Sequence, residues 1–202
     1  MDKPAVPGKT GFGKELKTAL AAVAAFAVLL CGLYPLAIWS VGNLLFPDKA
    51  RGSLIRDAEG KVAGSVLLAQ AFVSEKYFHP RPSAAGAGYD AAGSGGSNLG
   101  QTSQKLMDSL KARAETYRRV NGLPPETLIP GDAVTASASG LDPEISPANA
   151  LLQASRVAQA RGMPLEQVRD LVRKRTRGSA LGVLGEPGVN VLLLNLALDG
   201  KD

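Results

Sequence analysis

One cysteine and one histidine stand in the whole 202-residue chain, and that scarcity removes several classes of chemistry. With Cys31 alone, no intrachain disulfide forms. Zinc, haem-attachment and iron–sulfur sites need clusters of Cys or His that are missing, so no metal is expected. A serine triad would have to use His79, and no G-x-S-x-G elbow accompanies it. Aromatic residues are only 5% of the chain. No basic stripe is interleaved with rings on which bases would stack, so no nucleic-acid partner is expected. The net charge is +5, of which the tail (Lys3, Lys9, Lys14, Lys17 against Asp2 and Glu15) supplies +2, leaving about +3 for the rest. The run Arg173-Lys174-Arg175, with Arg169 and Arg177 nearby, reads as the decoration of a solvated helix end.

Charge is also absent from one long stretch. Residues 18–47 carry none, and the core reads ALAAVAAFAVLLCGLYPLAIWSVGNLLF. That exceeds the ~20 apolar residues that cross a ~30 Å hydrocarbon layer. A cleaved signal peptide has a shorter apolar region ending at a small-residue site, whereas this run continues through Leu44, Leu45 and Phe46. The reading is a retained membrane helix over residues 18–46, spanning the hydrocarbon from Leu20 at one end to Ser40 at the other. Trp39 and Tyr34 suit an interface, and Pro35 predicts a kink. Lysine and arginine counts on the two flanks tie. The short tail and the ease with which large domains translocate favour residues 1–17 in the cytoplasm and 47–202 outside, in the periplasm. The localisation expected is the cell inner membrane, single-pass.

The remainder has the length of one domain. SLIRD and VAGSVLL flank the turn AEGK and predict a hairpin, with Gly60 at positive φ. The prolines of FVSEKYFHPRPS exclude a regular element interior, and residues 83–101 form a long loop of small residues. A helix is expected from Thr102 or Ser103 to Gly122, with Leu106, Leu110, Ala114 and Tyr117 as its apolar stripe. A second starts at Ser146-Pro147, burying Ala150, Leu151, Ala154, Val157 and Ala158, and stops at Gly162. Pro164 opens a third, with Leu165, Val168, Leu171 and Val172 inside and Gly178 beyond. VNVLLLNLAL reads as a strand apolar on both faces. The fold class is therefore α+β: one membrane helix followed by a mixed, loop-rich α/β domain.

Within GSGGSNLGQT, Gly95 and Gly100 flank four residues, with Gln101-Thr102 after them, close to the phosphate-cradling G-x-x-x-x-G-K-[ST]. The lysine is missing, the preceding segment is loop rather than strand, and no Walker-B strand follows. The stretch reads instead as a small-residue loop that packs closely. Asp90, Asp132, Asp142 and Glu144 read as turn or cap residues. Ser137 and Ser139 have no identifiable base, so no catalytic residue is assigned.

Three blocks then act together: YFHPRPSAAGAGYDAAGSGGSNLG (77–100), VTASASGLDPEISPANALLQASRVAQARG (134–162) and LGEPGVNVLLLNLALD (184–199). In this order, behind a single N-terminal membrane helix, they resemble the C subunit of the Kdp-type potassium-transporting ATPase. Ala69, where that family usually shows glycine, is a small departure. The resemblance implies a small, single-pass, non-catalytic subunit of an ATP-driven potassium importer. Its partners would be an A subunit holding the ion filter, a B subunit hydrolysing ATP, and the lipid bilayer. It implies a need for the chain in assembly, and a role described as a catalytic chaperone that raises the ATP affinity of the B subunit. No intrinsic cofactor is implied, and ATP only as a ligand shared with that subunit. By the family's S-G motif and following glutamine, the nucleotide contact would fall on Ser139, Gly140 and Gln153. The alternative it leaves open is an extracytoplasmic cap over the potassium entrance. The first block would then supply the interaction surface: Tyr77, Phe78, Arg81, Pro82, Ser83, Tyr89, Asp90, Ser97 and Asn98. On spacing alone, Gln153 sits at a half-exposed helix position between Ala150 and Val157. A reading from another class, a membrane-anchored enzyme, requires a pocket of converging titratable groups.

Overall fold

The apolar stretch is one helical run from Phe12 to Leu45, 34 residues long, with no buried residue. At 1.5 Å per residue it is about 50 Å long, enough to cross a membrane. It comprises α1 (Phe12–Phe26), a π-helical stretch (Ala27–Leu33) and α2 (Tyr34–Leu45). The π stretch lies immediately before Pro35, and the Tyr34 N–H bonds Leu29 O, five residues back. A proline ring clashes with the carbonyl four residues earlier, and the widened turn is how this helix accommodates it. Ser40 Oγ donates to Leu36 O at 2.8 Å and Asn43 Nδ2 to Trp39 O at 2.9 Å. These polar groups are thus satisfied within the helix, as an apolar solvent demands. The helix starts at Phe12, so its first turns take up Lys14, Glu15 and Lys17, which the sequence reading assigned to the tail. The structure, a computed structural model, describes residues 11–56 and 59–200. The expected tail before Gly11, and Asp57 and Ala58 of the hairpin, lie outside the described residues.

The chain divides into two units, Met1–Gly52 and Ser53–Asp202. The first ends in a short turn of helix, α3 (Pro47–Ala50). The second begins with the expected hairpin, β1 (Leu54–Arg56) antiparallel to β2 (Val62–Ser65), with Gly60 at φ +79°. No regular element occupies residues 66–103. Then come α4 (Gln104–Asn121), capped by the Ser103 side chain and closed by Gly122 in the left-handed region, and α5 (Pro147–Arg161), capped by Ser146 and closed by Gly162. Ser, Pro and Gly stand where capping physics places them. The remaining helices are α6 (Leu165–Arg175) and α7 (Val191–Leu198). The short strands β3 (Glu144–Ile145), β4 (Thr176–Arg177) and β5 (Gly188–Asn190) form an antiparallel sheet in the order β3-β5-β4. The second unit is mixed α+β, as expected.

Two expectations fail. The run VNVLLLNLAL is a strand only to Asn190, and from Val191 it is a helix. Short runs apolar on all sides do not distinguish a strand from a buried helix. The Asn190 side chain decides it here by accepting from Leu193 N–H at 3.1 Å as N-cap, and Val191, Leu192, Leu194 and Asn195 are all buried. On α5, Leu151 is 40% exposed whereas Gln153 is 1% exposed. The buried face runs 149, 150, 153, 154, 156, 157 and 158, a helical stripe with three polar members, Asn149, Gln153 and Arg156.

The core gathers Phe78, Ile145, Ala150, Ala154, Val157, Val168, Val172, Val189 and Leu194 around α5. Each large apolar side chain buried there stabilises by about 1.5–3 kcal/mol. The core is otherwise aliphatic, and Phe78, contributed by the proline-rich segment, is its one fully buried ring.

Candidate functional site

Pro80 and Pro82 deny residues 77–83 a regular backbone ladder, so the segment is held by side chains. Phe78 N–H donates to Asn195 Oδ1 at 2.8 Å, and Asn195 Nδ2 returns a bond to Phe78 O at 3.0 Å. One residue on, His79 N–H donates to Gln153 Oε1 at 2.8 Å, and Gln153 Nε2 donates to His79 O at 3.0 Å. Two buried amides, one from α7 and one from α5, thus imitate a partner strand for consecutive peptide units. Each is polar on a core face because it satisfies backbone groups that would otherwise be orphaned.

Gln153 has no spare capacity. Its Nε2 also donates to Asn149 Oδ1 at 2.9 Å, and its Oε1 also accepts from Arg156 Nη2 at 2.9 Å. Arg156 is itself 7% exposed. Its other donors reach Glu75 O (2.6 Å), Tyr77 O (3.0 Å) and Asn121 Oδ1 (2.9 Å). Burial pulls its pKa below the ordinary arginine value, but arginine keeps its proton in proteins. The result is a buried cation satisfied by neutral oxygens. Tyr117 closes the network by donating to Asn149 Oδ1 at 2.8 Å. Burial, and then the Asp132 charge, raise its pKa. His79 is pushed the other way, first by burial and then by Arg156. Its Nε2 bonds Ser74 O at 3.1 Å; a carbonyl only accepts, so Nε2 carries the proton of a neutral ring.

A second set of contacts fastens the long loop to residues 137–142. Ser83 Oγ donates to Gly140 O at 2.7 Å and accepts from the Ala85 and Tyr89 N–H groups. Arg81 pairs with Asp142 at 2.7 Å. Gly95 N–H and Ser94 Oγ both donate to Ser139 O, at 2.9 and 3.0 Å. Tyr89 adopts φ +57°, a left-handed conformation unusual for a bulky residue. It is fixed there by its hydroxyl, which donates to Arg81 O at 2.8 Å. Gly140 has φ +66°, and a Cβ on it would stand 2.7 Å from Ala85 N and from Gly95 O. The close packing expected of the glycine-rich stretch is thus centred on Gly140 and on Gly96, whose Cβ would meet Ala138 O at 2.9 Å. At Gly100 a Cβ would meet nothing within 4 Å.

The residues singled out by sequence fall into separate places. Gln153 binds His79, Asn149 and Arg156, while exposed Ser139 and buried Gly140 bind the 83–95 loop. Ser139 Oγ accepts from Leu141 N–H at 3.1 Å, turning its own loop. Within this chain the Gln153 amide is fully engaged by internal partners and Gly140 is packed against the loop backbone, while Ser139 stays exposed. Of the expected interaction surface, Phe78 is a core residue. Tyr77, Arg81, Pro82, Ser83 and Tyr89 are half-buried, and Asp90, Ser97 and Asn98 are exposed. Tyr77 donates to Asp199 Oδ2 at 2.9 Å under the Arg161 guanidinium. That hydrogen bond, with a smaller contribution from burial, raises its pKa. Of the acids read as turn and cap residues, Asp90, Asp132 and Asp142 behave so, whereas Glu144 lies in β3 and pairs with Arg177 at 2.8 Å. Asp132 accepts from Ser146 N–H and Oγ and from Asn149 Nδ2 at the start of α5, and Asp90 accepts from Ala92 N–H. Arg173 pairs with Asp170 on the solvated end of α6. Among the described residues no group of three or more His, Cys, Asp or Glu is placed to hold a metal ion. The amide clip by Asn195, and the partners Asn149, Asn121 and Arg156, were missed. The available signal was polar residues falling on the apolar stripes of their helices.

A family model described as KdpC, the K+-transporting ATPase c chain, matches residues 16–200. The potassium-transporting ATPase KdpC subunit of Mycobacterium tuberculosis is 53% identical over 186 residues, 92% of this chain and 98% of that protein. That of Myxococcus xanthus is 55% identical over 186 residues, covering 91% and 87%. That of Caulobacter vibrioides is 53% identical over 187 residues, covering 93% of each.

Proposed function

The chain belongs to the KdpC family, the K+-transporting ATPase c chain, and from that premise we propose that it is an accessory, non-catalytic subunit of the pump. Its helix anchors it in the cell inner membrane, with the N-terminal tail in the cytoplasm and the folded domain outside. There it joins an ion-binding A subunit to an ATP-hydrolysing B subunit and is needed for their assembly. Its effect on the ATP affinity of the B subunit passes through that assembly, without a nucleotide contact from Gln153.

The observation that carries this reading is the saturated state of Gln153. Its amide makes four internal hydrogen bonds and is 1% exposed. Reaching a phosphate or base would break a network that anchors residues 77–79, and orphaned buried groups cost about 1–3 kcal/mol each. The test is photoaffinity labelling of the assembled complex with a photoreactive ATP analogue. Label is expected on the B subunit and not on this chain. A labelled peptide containing Ser139, Gly140 or Gln153 would overturn the reading.

The domain also suits a cap over the potassium entrance. The loop 86–100, whose exposed members include Asp90, Ser97 and Asn98, is pinned by Ser83, Ser94, Gly95 and Gly140 rather than left free, so its exposed polar groups keep fixed positions above whatever they cover.

A further inference from the structure

A cleft of about 320 Å³ opens between α4 and residues 79–82. One wall is the exposed stripe Ala112, Thr116 and Val120 of α4, spaced one helical turn apart, and the other is His79, Pro80 and Pro82. Tyr117, Asn121 and Gln153 form the floor. The size lies at the low end of ligand pockets, roughly 300 Å³, but the polar floor offers little to orient a small molecule. The Tyr117 hydroxyl is engaged by Asn149, the Asn121 amide by Tyr117 O and Arg156, and Gln153 by four partners. What remains is an apolar slot.

The charged side chain that lines the slot is Arg113. Arg156 is buried behind the floor. Among the described residues neither arginine has a carboxylate within ion-pair distance. Arg113 donates to Val134 O at 3.1 Å, and Arg156 meets only neutral oxygens. The nearby Asp132 has both carboxylate oxygens committed to Ser146 and Asn149. An apolar slot with one arginine at its lip that lacks an ion-pair partner complements an apolar side chain that carries a carboxylate beside it.

We propose that this cleft is a docking site for an acidic segment of another subunit of the pump, which inserts one apolar side chain between α4 and residues 79–82 and sets a neighbouring carboxylate against Arg113. The proposal rests on the accessory-subunit reading above. The amide clip then acquires a purpose: by fixing the backbone of Phe78 and His79 it holds one wall of the slot in shape before the partner arrives, which lowers the ordering cost of binding.

The test uses the full chain in membranes from cells that make all the pump subunits, with a benzophenone amino acid at Thr116. Ultraviolet light should join this chain to another subunit, at a segment where Asp or Glu adjoins an apolar residue. In parallel, Thr116→Trp, which fills the slot, and Arg113→Glu, which reverses its charge, should each reduce recovery of the partner about tenfold or more at low salt. Their thermal unfolding should match that of the unsubstituted chain. A chain that still co-purifies its partners but cross-links only to lipid, only to a second copy of itself, or to nothing would overturn the docking proposal alone. Loss of co-purification in the unsubstituted chain would overturn the accessory-subunit reading and the docking proposal with it.

Discussion

Replacing Gln153 with alanine removes four hydrogen bonds from a buried site. Not all are lost in full. Asn149 Oδ1 keeps the Tyr117 hydroxyl, and the half-buried His79 can recruit water. The remaining penalty is one or two orphaned buried groups at about 1–3 kcal/mol each, plus the cavity left by the side chain. Together these come to about 3–4 kcal/mol, a loss of roughly 10 °C in Tm for a domain of this size. The assay is thermal unfolding of the full chain in mild detergent, followed by near-ultraviolet circular dichroism. That signal carries Tyr77, Tyr89 and Tyr117 of the domain over a contribution from Tyr34 and Trp39 of the membrane helix, whereas the far-ultraviolet signal is weighted by that helix. Gln153→Met keeps the volume and removes the polar groups, so it isolates the hydrogen bonds. Gln153→Glu keeps the acceptor for His79 N–H and Arg156 but loses both donors, and should recover only part of the loss. If Gln153→Ala costs less than about 1 kcal/mol and Gln153→Met is indistinguishable from the unsubstituted chain, the clip does not hold the domain together and the amide is free for another role.

The packing of the two loops predicts a contrast between glycines: Gly140→Ala combines positive-φ strain with a backbone clash and should destabilise by about 2–4 kcal/mol, while Gly100→Ala should stay within about 0.5 kcal/mol, both read from the same melts. The His79 pKa lies below its unfolded value near 6.5 because burial and Arg156 disfavour the cation. The unfolded chain therefore binds more protons there, so stability present above about pH 6.5 should fall as pH drops through that value. His79→Gln should flatten that slope in urea titrations between pH 5 and 7, values set by the histidine range. For topology, single cysteines in a Cys31→Ser background should react with an impermeant thiol reagent added to intact cells when placed after residue 52 and not in the tail; reactivity of the tail alone would reverse the orientation.

Much of the frame was legible because it rests on local physics. Ser103 and Ser146 capped, Gly122 and Gly162 closed, and the charge-free run stood out by length alone. Val191–Leu198 was misread because an all-apolar run lacks the polar face that separates period 2 from period 3.6, and the N-capping Asn190 inside the run was passed over. The clip was out of reach for a different reason. It joins residues 74 and 117 positions apart in the chain, and nothing local marks an amide as a substitute for a missing strand. The glycine-rich loop was correctly read as a packing element. Where it packs, against Gly140 and Ala138, depended on tertiary contacts.

The central claim, that this chain works as a subunit held to the pump's other subunits, is tested most directly by co-purification. A tag at the C-terminus, mild detergent and mass spectrometry of the eluate should recover the ion-binding and ATP-hydrolysing subunits in fixed proportion to this chain. Recovery of the chain alone, from cells shown to contain the other subunits, would contradict the account.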